Sequence, residues 1–454
     1  MYAGFDYGTS NCAVGVVDNN TIRLLAIGNN QVLMPSSLYA LERELICEYV
    51  GQQIPDDALQ QNFLSLRAPA MAQARSVRTE YDIRPEEQSI FFGQDAFDQY
   101  LSMPGEGYFL KSPKSFLGAS GLRSEYIQFF EDIVTAMMIN IKQRAETDLG
   151  KTITHTVIGR PVNFQGMNAE QSNRQAIAIL TLSAQRAGFK SVEFLFEPIA
   201  AGLDFEARLS DDKTVLIVDI GGGTTDCAMV RMGPSHRNNT ERQQDFIGHS
   251  GERVGGNDLD IQLAGKHLMP LFGMHSSLKN GLLMPTATYW DAVRTNDVGA
   301  QANFNSQQTE LRLQQLMLDT TEPELLRRFI TLRDKKQNHH ILRSAEQAKI
   351  SLSDNSRSSL DLNSIVTGLS CTISRDQFAH AIERPLASIT DLMTEAIRQA
   401  AVQPDLIYIT GGSAKSPIIR QAIEQKLGTI PVVDGDHFGS VATGLTAWAQ
   451  RLFS

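Results

Sequence analysis

Val218-Asp-Ile-Gly-Gly-Gly-Thr-Thr-Asp-Cys-Ala-Met229, near the middle of the chain, repeats the plan of Phe5-Asp-Tyr-Gly-Thr-Ser-Asn-Cys-Ala-Val14 near its start. Each copy runs from apolar residues through an aspartate into a Gly/Thr/Ser turn, then out through Cys-Ala into apolar residues again. The second copy is two residues longer, the extra length lying in its glycine turn. Thr214-Val-Leu-Ile-Val-Asp219 before the turn and Cys227-Ala-Met-Val230 after it predict a β-hairpin. Two such hairpins about half a chain apart predict two related lobes facing each other.

The turns carry chemistry as well as shape. Where glycine removes the side chain, backbone N–H groups can approach phosphate oxygens, and neighbouring hydroxyls add donors. Gly8, Thr9, Ser10 and Asn11 form one candidate phosphate turn, and Gly221, Gly222, Gly223, Thr224 and Thr225 the other. Asp6 and Asp219 at the two entrances suit a Mg²⁺ held through water, because that ion gives up its waters reluctantly. Ordinary hairpin turns favour the same residue types, so the ordered pair, rather than either turn, points to a phosphate ligand. No P-loop, GxGxxG, HExxH, GxSxG or EF-hand pattern offers another route.

Around the hairpins the hydrophobic period alternates between two and 3.6, the pattern of α/β layers. Ile127, Phe130, Val134, Met137, Met138 and Ile141 predict a core helix ended by Gly150. Ile153–Ile158 predicts a strand before the Gly-Arg-Pro161 break. Asn168 with Gln171 suggests a capping box for a helix stopped near Gly188. Val192–Glu197 predicts a strand ended by Pro198, and Leu406–Thr410 another. Stretches near 52–85 and about 275–340 look inserted, the second with helical runs such as Leu311–Leu318.

The chain has 454 residues, enough for about three domains at roughly 150 residues each. Apolar residues are 42% and charged residues 20%, which fits a globular protein and neither a disordered polyelectrolyte nor a fibre. Lys plus Arg total 41 against 51 Asp plus Glu, a net charge of −10. That balance argues against nucleic acid or anionic lipid as main partners. Cys12, Cys47, Cys227 and Cys371 lie far apart with no zinc-ligand spacing, as expected of reduced thiols. His339-His340 sits in a polar stretch and reads as solvated surface. The start lacks a basic, apolar leader, and no apolar run reaches the ~18 residues that span a bilayer. A soluble cytoplasmic protein is the expectation.

Taken in order, these features resemble the actin-like ATPase superfamily, and within it the nucleotide-binding domain of the seventy-kilodalton heat-shock chaperones of the DnaK type. Besides the two phosphate turns, Lys114-Ser-Phe-Leu-Gly118 is similar to the family's catalytic-lysine segment. Phe196-Glu197-Pro198 with Ile199–Gly202 resembles its first hinge. Gly255-Gly256-Asn-Asp258-Leu-Asp260 resembles its Gly-Gly-Glu-Asp-Phe-Asp segment. Ala345-Glu346-Gln-Ala-Lys349-Ile-Ser-Leu-Ser353 is similar to its adenosine helix, and Thr410-Gly411-Gly412-Ser413-Ala-Lys415-Ser-Pro417 to its adenosine loop.

The resemblance implies a duplicated actin-like, ribonuclease H-like α/β ATPase domain, its two lobes around a central nucleotide cleft. Lobe I is expected over 1–200 with an insertion near 52–85, and lobe II over 201–430 with an enlarged helical subdomain about 255–355. A helix in 431–454 is expected to cross back. ATP or ADP with Mg²⁺ would bind between the glycine turns, with Asp6 and Asp219 on the ion through water. Lys114 would stabilise γ-phosphate charge, and Glu197 with Asp226 and Thr224 would orient the attacking water. Glu346, Lys349 and Ser353, spaced i, i+3 and i+7, would clamp the nucleoside with Gly255, Gly256, Gly411, Gly412, Ser413 and Lys415.

Departures accompany the likeness. Ile350 stands where an arginine beside the adenine is usual, and Lys415 where another is usual. Asn257 replaces a glutamate and Phe438 a hinge aspartate. No client-binding β-sandwich of the family's kind is expected after Gly444, and an ATP-driven, slowly hydrolysing switch read by a separate protein partner or client is expected, with a monomer as the starting expectation. A small-molecule phosphotransferase, an actin-like filament former and a nucleotide-sensing scaffold are the alternatives.

Overall fold

The computed structural model describes residues 1–103, 106–119, 124–164, 169–237, 239, 242–435 and 439–454. Compactness divides the chain into two units. The first comprises Met1–Arg253, Thr390–Ala414 and Ile423–Ser454, and the second Val254–Ile389 and Lys415–Ala422.

The first unit holds two sheets of the same design. One is built from β1 (Tyr2–Tyr7), β2 (Asn11–Asp18), β3 (Thr21–Leu24), β4 (His155–Arg160) and β5 (Ser191–Phe196), in the order β3-β2-β1-β4-β5. The other comprises β6 (Lys213–Ile220), β7 (Thr225–Met232), β8 (Phe246–Glu252), β9 (Leu406–Thr410) and β10 (Val432–Asp434), in the order β8-β7-β6-β9-β10. In both, the first three strands run antiparallel and the next two join in parallel. The predicted hairpins are therefore β1–β2 and β6–β7, with Asp6 opposite Ala13 and Asp219 opposite Asp226. Val215, Leu216, Ile217, Val218 and Ile220 of β6 are all buried. Such an unbroken apolar run is what a strand covered on both faces requires.

Helices cover the sheets. The predicted stripe lies on α1 (Ser124–Leu149), where Phe130, Val134, Met137, Met138 and Ile141 are buried and Ile127 only partly so. Gly150 follows at φ +69° with open space around it. Gly150→Ala is expected to cost about 1 kcal/mol in urea unfolding, because a Cβ disfavours this left-handed turn although nothing crowds it. The next helix, α2 (Ala169–Arg186), links β4 to β5; Asn168, expected as its cap, lies outside the described residues.

The strand expected to end at Glu197 stops at Phe196. Glu197 instead opens α3 (Glu197–Glu206), with Pro198 in its first turn. Proline ends a strand because it lacks the N–H for the ladder, and it suits a helix start for the same reason. At the far end, 431–454 begins with edge strand β10 before the expected helix, which spans Ser440–Phe453. In that helix Val441, Leu445 and Ala449 join Val157 of β4, Ala200 and Phe205 of α3, and Ile217 of β6 in one core cluster.

The stretch near 52–85 forms helices Asp57–Leu66 and Ala68–Glu80. Arg67 ties them to α1 through Asp132 at 3.0 Å and Glu131 at 3.1 Å, and Glu131 also binds Arg186 at 2.5 Å. The Arg67 and Arg186 guanidinium groups both lie over the Phe63 ring, 5.6 and 4.9 Å from its centre. This segment is thus anchored by a partly buried charge network rather than by an apolar stripe.

The second unit is mostly helical. It begins with α4 (Gly256–Leu263), passes through helices that include Gln307–Asp319, where Leu311–Leu318 was expected, and reaches α5 (Asn338–Asp354). Tyr289 stacks on Phe329 at 4.1 Å, and Phe272, Phe304 and Ile341 are fully buried. His339 and His340 are half-buried in the first turn of α5, not on a solvated surface.

Candidate functional site

The two glycine turns, each at the end of a hairpin in its own sheet, lie face to face within the first unit. Ser36 shapes the first turn: its N–H donates to the Ser10 carbonyl at 2.9 Å and its hydroxyl to the Gly8 carbonyl at 2.6 Å. In the second turn, the Gly221 N–H donates to the Thr224 carbonyl at 2.9 Å. A Cβ on Gly222 would stand 1.8 Å from Ser10 Oγ, and one on Gly223 would stand 2.6 Å from Thr9 Cγ2. Residues without side chains permit this approach, which explains the glycines at 222 and 223.

Lys114 is brought beside the turns by a short helical turn, Pro113–Phe116. Phe116 stacks on Phe130 of α1 at 5.1 Å, and the Ser112 N–H donates to the Ser36 carbonyl at 2.8 Å, so both ends of this segment are fixed. The ammonium is 5% exposed by residue and donates to Glu197 Oε1. It is therefore no surface lysine. Asp226, 1% exposed, accepts from the Val162 N–H at 2.7 Å through Oδ1. Thr9, Lys114, Ser115, Pro161, Phe164, Gly223, Thr224 and Arg253 line a small cleft beside the turns.

Carboxyl groups dominate this centre. Burial, reinforced by Glu197 and opposed by Lys114, pushes the Asp6 carboxyl up to about 7. Burial also pushes Asp226 up to about 7, with Glu197 adding and the Val162 N–H, Thr224 and Lys114 opposing. Asp219 is driven well above the usual carboxylate range by burial and then by Glu197, Asp226 and Asp6. Burial works to lower the Lys114 ammonium, but Glu197 and Asp6 outweigh it, so the lysine stays charged.

These directions set a pH dependence. In the unfolded chain the aspartates release their protons near 4, whereas the folded protein holds those of Asp6 and Asp226 until about 7. Folding thus binds protons between those values, and stability falls as pH rises through that window. Asp219→Asn, which cannot ionise, should raise the nucleotide-free protein's stability at pH 8 and make urea-unfolding stability fall less steeply with pH. Lower stability at pH 8 would contradict the charge assignment.

Among the described residues no three His, Cys, Asp or Glu side chains are placed to hold a metal directly. Asp6 and Asp219 nevertheless place two carboxyls at the turns, and a cation bound nearby would favour their ionised form. That donor set fits a hydrated divalent cation, which needs carboxylates at water distance rather than in contact.

Other predicted residues fall into two groups. In the first unit, Ser413 Oγ donates to the Gly221 carbonyl at 3.4 Å, and Gly411 lies against Ile220 and Asp219; Gly412 sits between them in the same loop. In the second unit, the Gly255 N–H donates to Asp258 Oδ2 at 2.9 Å. Lys349 donates to the Gly256 carbonyl at 3.1 Å and to Asp260 Oδ2 at 2.8 Å. Glu346 pairs with Arg343 at 3.1 Å, and Ser353 Oγ donates to the Lys349 carbonyl at 3.4 Å. Ile350 is 58% exposed, and Lys415 begins the second unit's return segment. Phe438 lies outside the described residues.

Residues 120–282 and 326–450 match the family described as "Hsp70 protein". The chain belongs to the Hsp70 family. Among Hsp70-family relatives, "Chaperone protein HscA homolog" from Pseudoalteromonas atlantica is 23% identical over all of this chain and 58% of its own length. "Chaperone protein dnaK1" from Nostoc sp. is 23% identical over 99% of this chain and 54% of its own. "Heat shock 70 kDa protein 13" from Pongo abelii is 22% identical over 98% and 87%. The chain thus spans little more than half the length of the first two. Glu197, Asp219 to Asp226, Gly255, Glu346 and Gly411 fall inside the Hsp70 match, whereas Asp6 to Asn11 and Lys114 fall outside it. The fold, a mixed α/β chain with several sheets, is consistent with an Hsp70 actin-like ATPase domain, and Hsp70 ATPases bind ATP or ADP with Mg²⁺. Among the described residues no helix is long and apolar enough to cross a membrane.

Sequence reasoning missed Ser115, Arg160, Val162, Phe164 and Arg253. Arg160 and Pro161 were visible only as a strand break, because nothing local marks the Val162 N–H as donating to Asp226.

Proposed function

We propose that this chain binds ATP or ADP with Mg²⁺ through its two apposed glycine turns, hydrolyses ATP slowly, and acts as a chaperone-like switch read by a protein partner. The observation carrying this reading is the buried Lys114–Glu197 pair beside Asp6, Asp219 and Asp226, at the meeting of both turns. The two-lobe reading, 1–200 against 201–430 with 431–454 returning, belongs to the same proposal.

The residues divide the work. N–H groups of Gly8 to Asn11 and Gly221 to Thr225 offer donors to phosphate oxygens in a site that needs little rearrangement. Lys114 is shared: a γ-phosphoryl group would compete with Glu197 for its ammonium, leaving the carboxylate to accept from water. Asp226, steadied by the Val162 N–H, and Thr224 complete the water's surroundings. Mg²⁺ held by Asp6 and Asp219 through water would neutralise charge on the β and γ phosphates. In the second unit, Glu346, Lys349, Ser353, Gly255, Gly256 and Lys415 are the residues proposed for the nucleoside, while Gly411, Gly412 and Ser413 of the first unit belong with the second glycine turn.

Single-turnover hydrolysis of bound ATP tests the reading. We expect one phosphate released per chain, slower than one per second. A rate of many per second that depends on an added small metabolite would identify a phosphotransferase instead.

A further inference from the structure

Arg160, the last residue of β4, is half-buried beside the cleft without lining it. Its guanidinium lies 4.7 Å from the ring of Phe196 and 5.9 Å from that of Phe164. Arg160 and Phe196 are register partners on β4 and β5, so the ring it covers belongs to the residue immediately before Glu197. Its Nε donates to the Pro161 carbonyl and its Nη2 to the Val162 carbonyl, each at 3.2 Å. The N–H of that same Val162 holds Asp226 Oδ1.

One planar side chain therefore grips two successive carbonyls of the turn that donates to Asp226, while stacking on the residue that leads into Glu197. Asn173 holds the same turn from α2. Its Nδ2 donates to the Val162 carbonyl at 3.3 Å, and its Oδ1 accepts from the Phe164 N–H at 3.0 Å. Burial lowers the guanidinium's pKa against the pull of Glu197 and Asp226, so the cation sits there at some cost. Arginine's rigid fork and flat stacking face meet both demands, and a lysine's single ammonium meets neither.

We infer that Arg160 is a positioning residue, fixing the Pro161–Val162 peptide so that the Val162 N–H keeps its hold on Asp226 Oδ1. Its effect on hydrolysis rests on the ATPase reading above. The bracing itself does not.

Arg160→Met and Arg160→Lys separate the two. Amide hydrogen exchange at Val162 should become about tenfold faster or more in both variants, with amides of α1 unchanged. The kcat for ATP should fall about 10–100-fold with KM within about threefold, as expected when alignment rather than binding is lost. Lysine should restore neither quantity, because it returns the charge without the fork. Unchanged exchange at Val162, or full recovery by lysine, would overturn the inference. If the wild-type chain hydrolyses no ATP, the ATPase reading fails, while Val162 exchange still decides the role of Arg160. Should the methionine variant prove unstable, the lysine variant reads the same amide.

Discussion

Lys114→Ala is expected to slow single-turnover ATP hydrolysis by about 10²–10³-fold, the range that follows removal of one preorganised charge from a reacting centre. The ammonium is buried, donates to Glu197 and is the cation whose attraction opposes the raised pKa values of Asp6, Asp219 and Asp226. Its removal leaves that cluster without its buried partner and the γ-phosphate without its donor. ATP affinity should change much less than the rate, because the turn amides and hydroxyls remain. Thermal unfolding run alongside separates a catalytic loss from a structural one. A rate within threefold of wild type would remove Lys114 from the mechanism.

Gly444→Ala should destabilise the chain by about 3–5 kcal/mol, or prevent its recovery as folded protein, when measured by urea unfolding. Gly444 lies on the closing helix, Ser440–Phe453, where it crosses α3. A Cβ there would stand 1.7 Å from the Ala200 carbonyl oxygen and 2.4 Å from its carbonyl carbon. Those atoms are backbone, so no rotamer change relieves the overlap and the helices must separate. Ala200, Leu445 and Ala449 belong to the core cluster shared with β4 and β6, so separation would also open apolar packing between the sheets. Because α3 starts at Glu197, the same displacement would reach the proposed water-orienting carboxylate. An alanine variant as stable as wild type would contradict this packing.

Local features were legible in the sequence. The glycine turns announced both hairpins, the stripe of Phe130 to Ile141 announced α1, and Gly150 its end, because each depends on neighbours within a few residues. Pairing across the chain was not legible. Nothing in His155–Arg160 or Leu406–Thr410 states that they lie parallel to β1 and β6, since a parallel partner is chosen by tertiary packing. Glu197 was misplaced by one element, because a proline marks both strand ends and helix starts.

At the site, the turns and their aspartates could be read from residue type, but their apposition through Gly222 and Ser10 could not. Burial decides the electrostatics: a lysine in Lys111–Lys114 reads as exposed until Phe116 is seen stacked on Phe130. Arg160 was hidden for the same reason, its partners being two backbone carbonyls and a ring from another strand. Its neighbours in sequence carry no trace of Asp226.

Calorimetric titration of the chain with ATP and with ADP, each with Mg²⁺, tests most directly whether the paired glycine turns form a nucleotide phosphate site. The account predicts one nucleotide per chain at micromolar affinity or tighter, about −8 kcal/mol or more favourable, and much weaker binding of adenosine, which lacks the phosphates. Absence of binding at millimolar nucleotide, or adenosine binding as tightly as ATP, would contradict it.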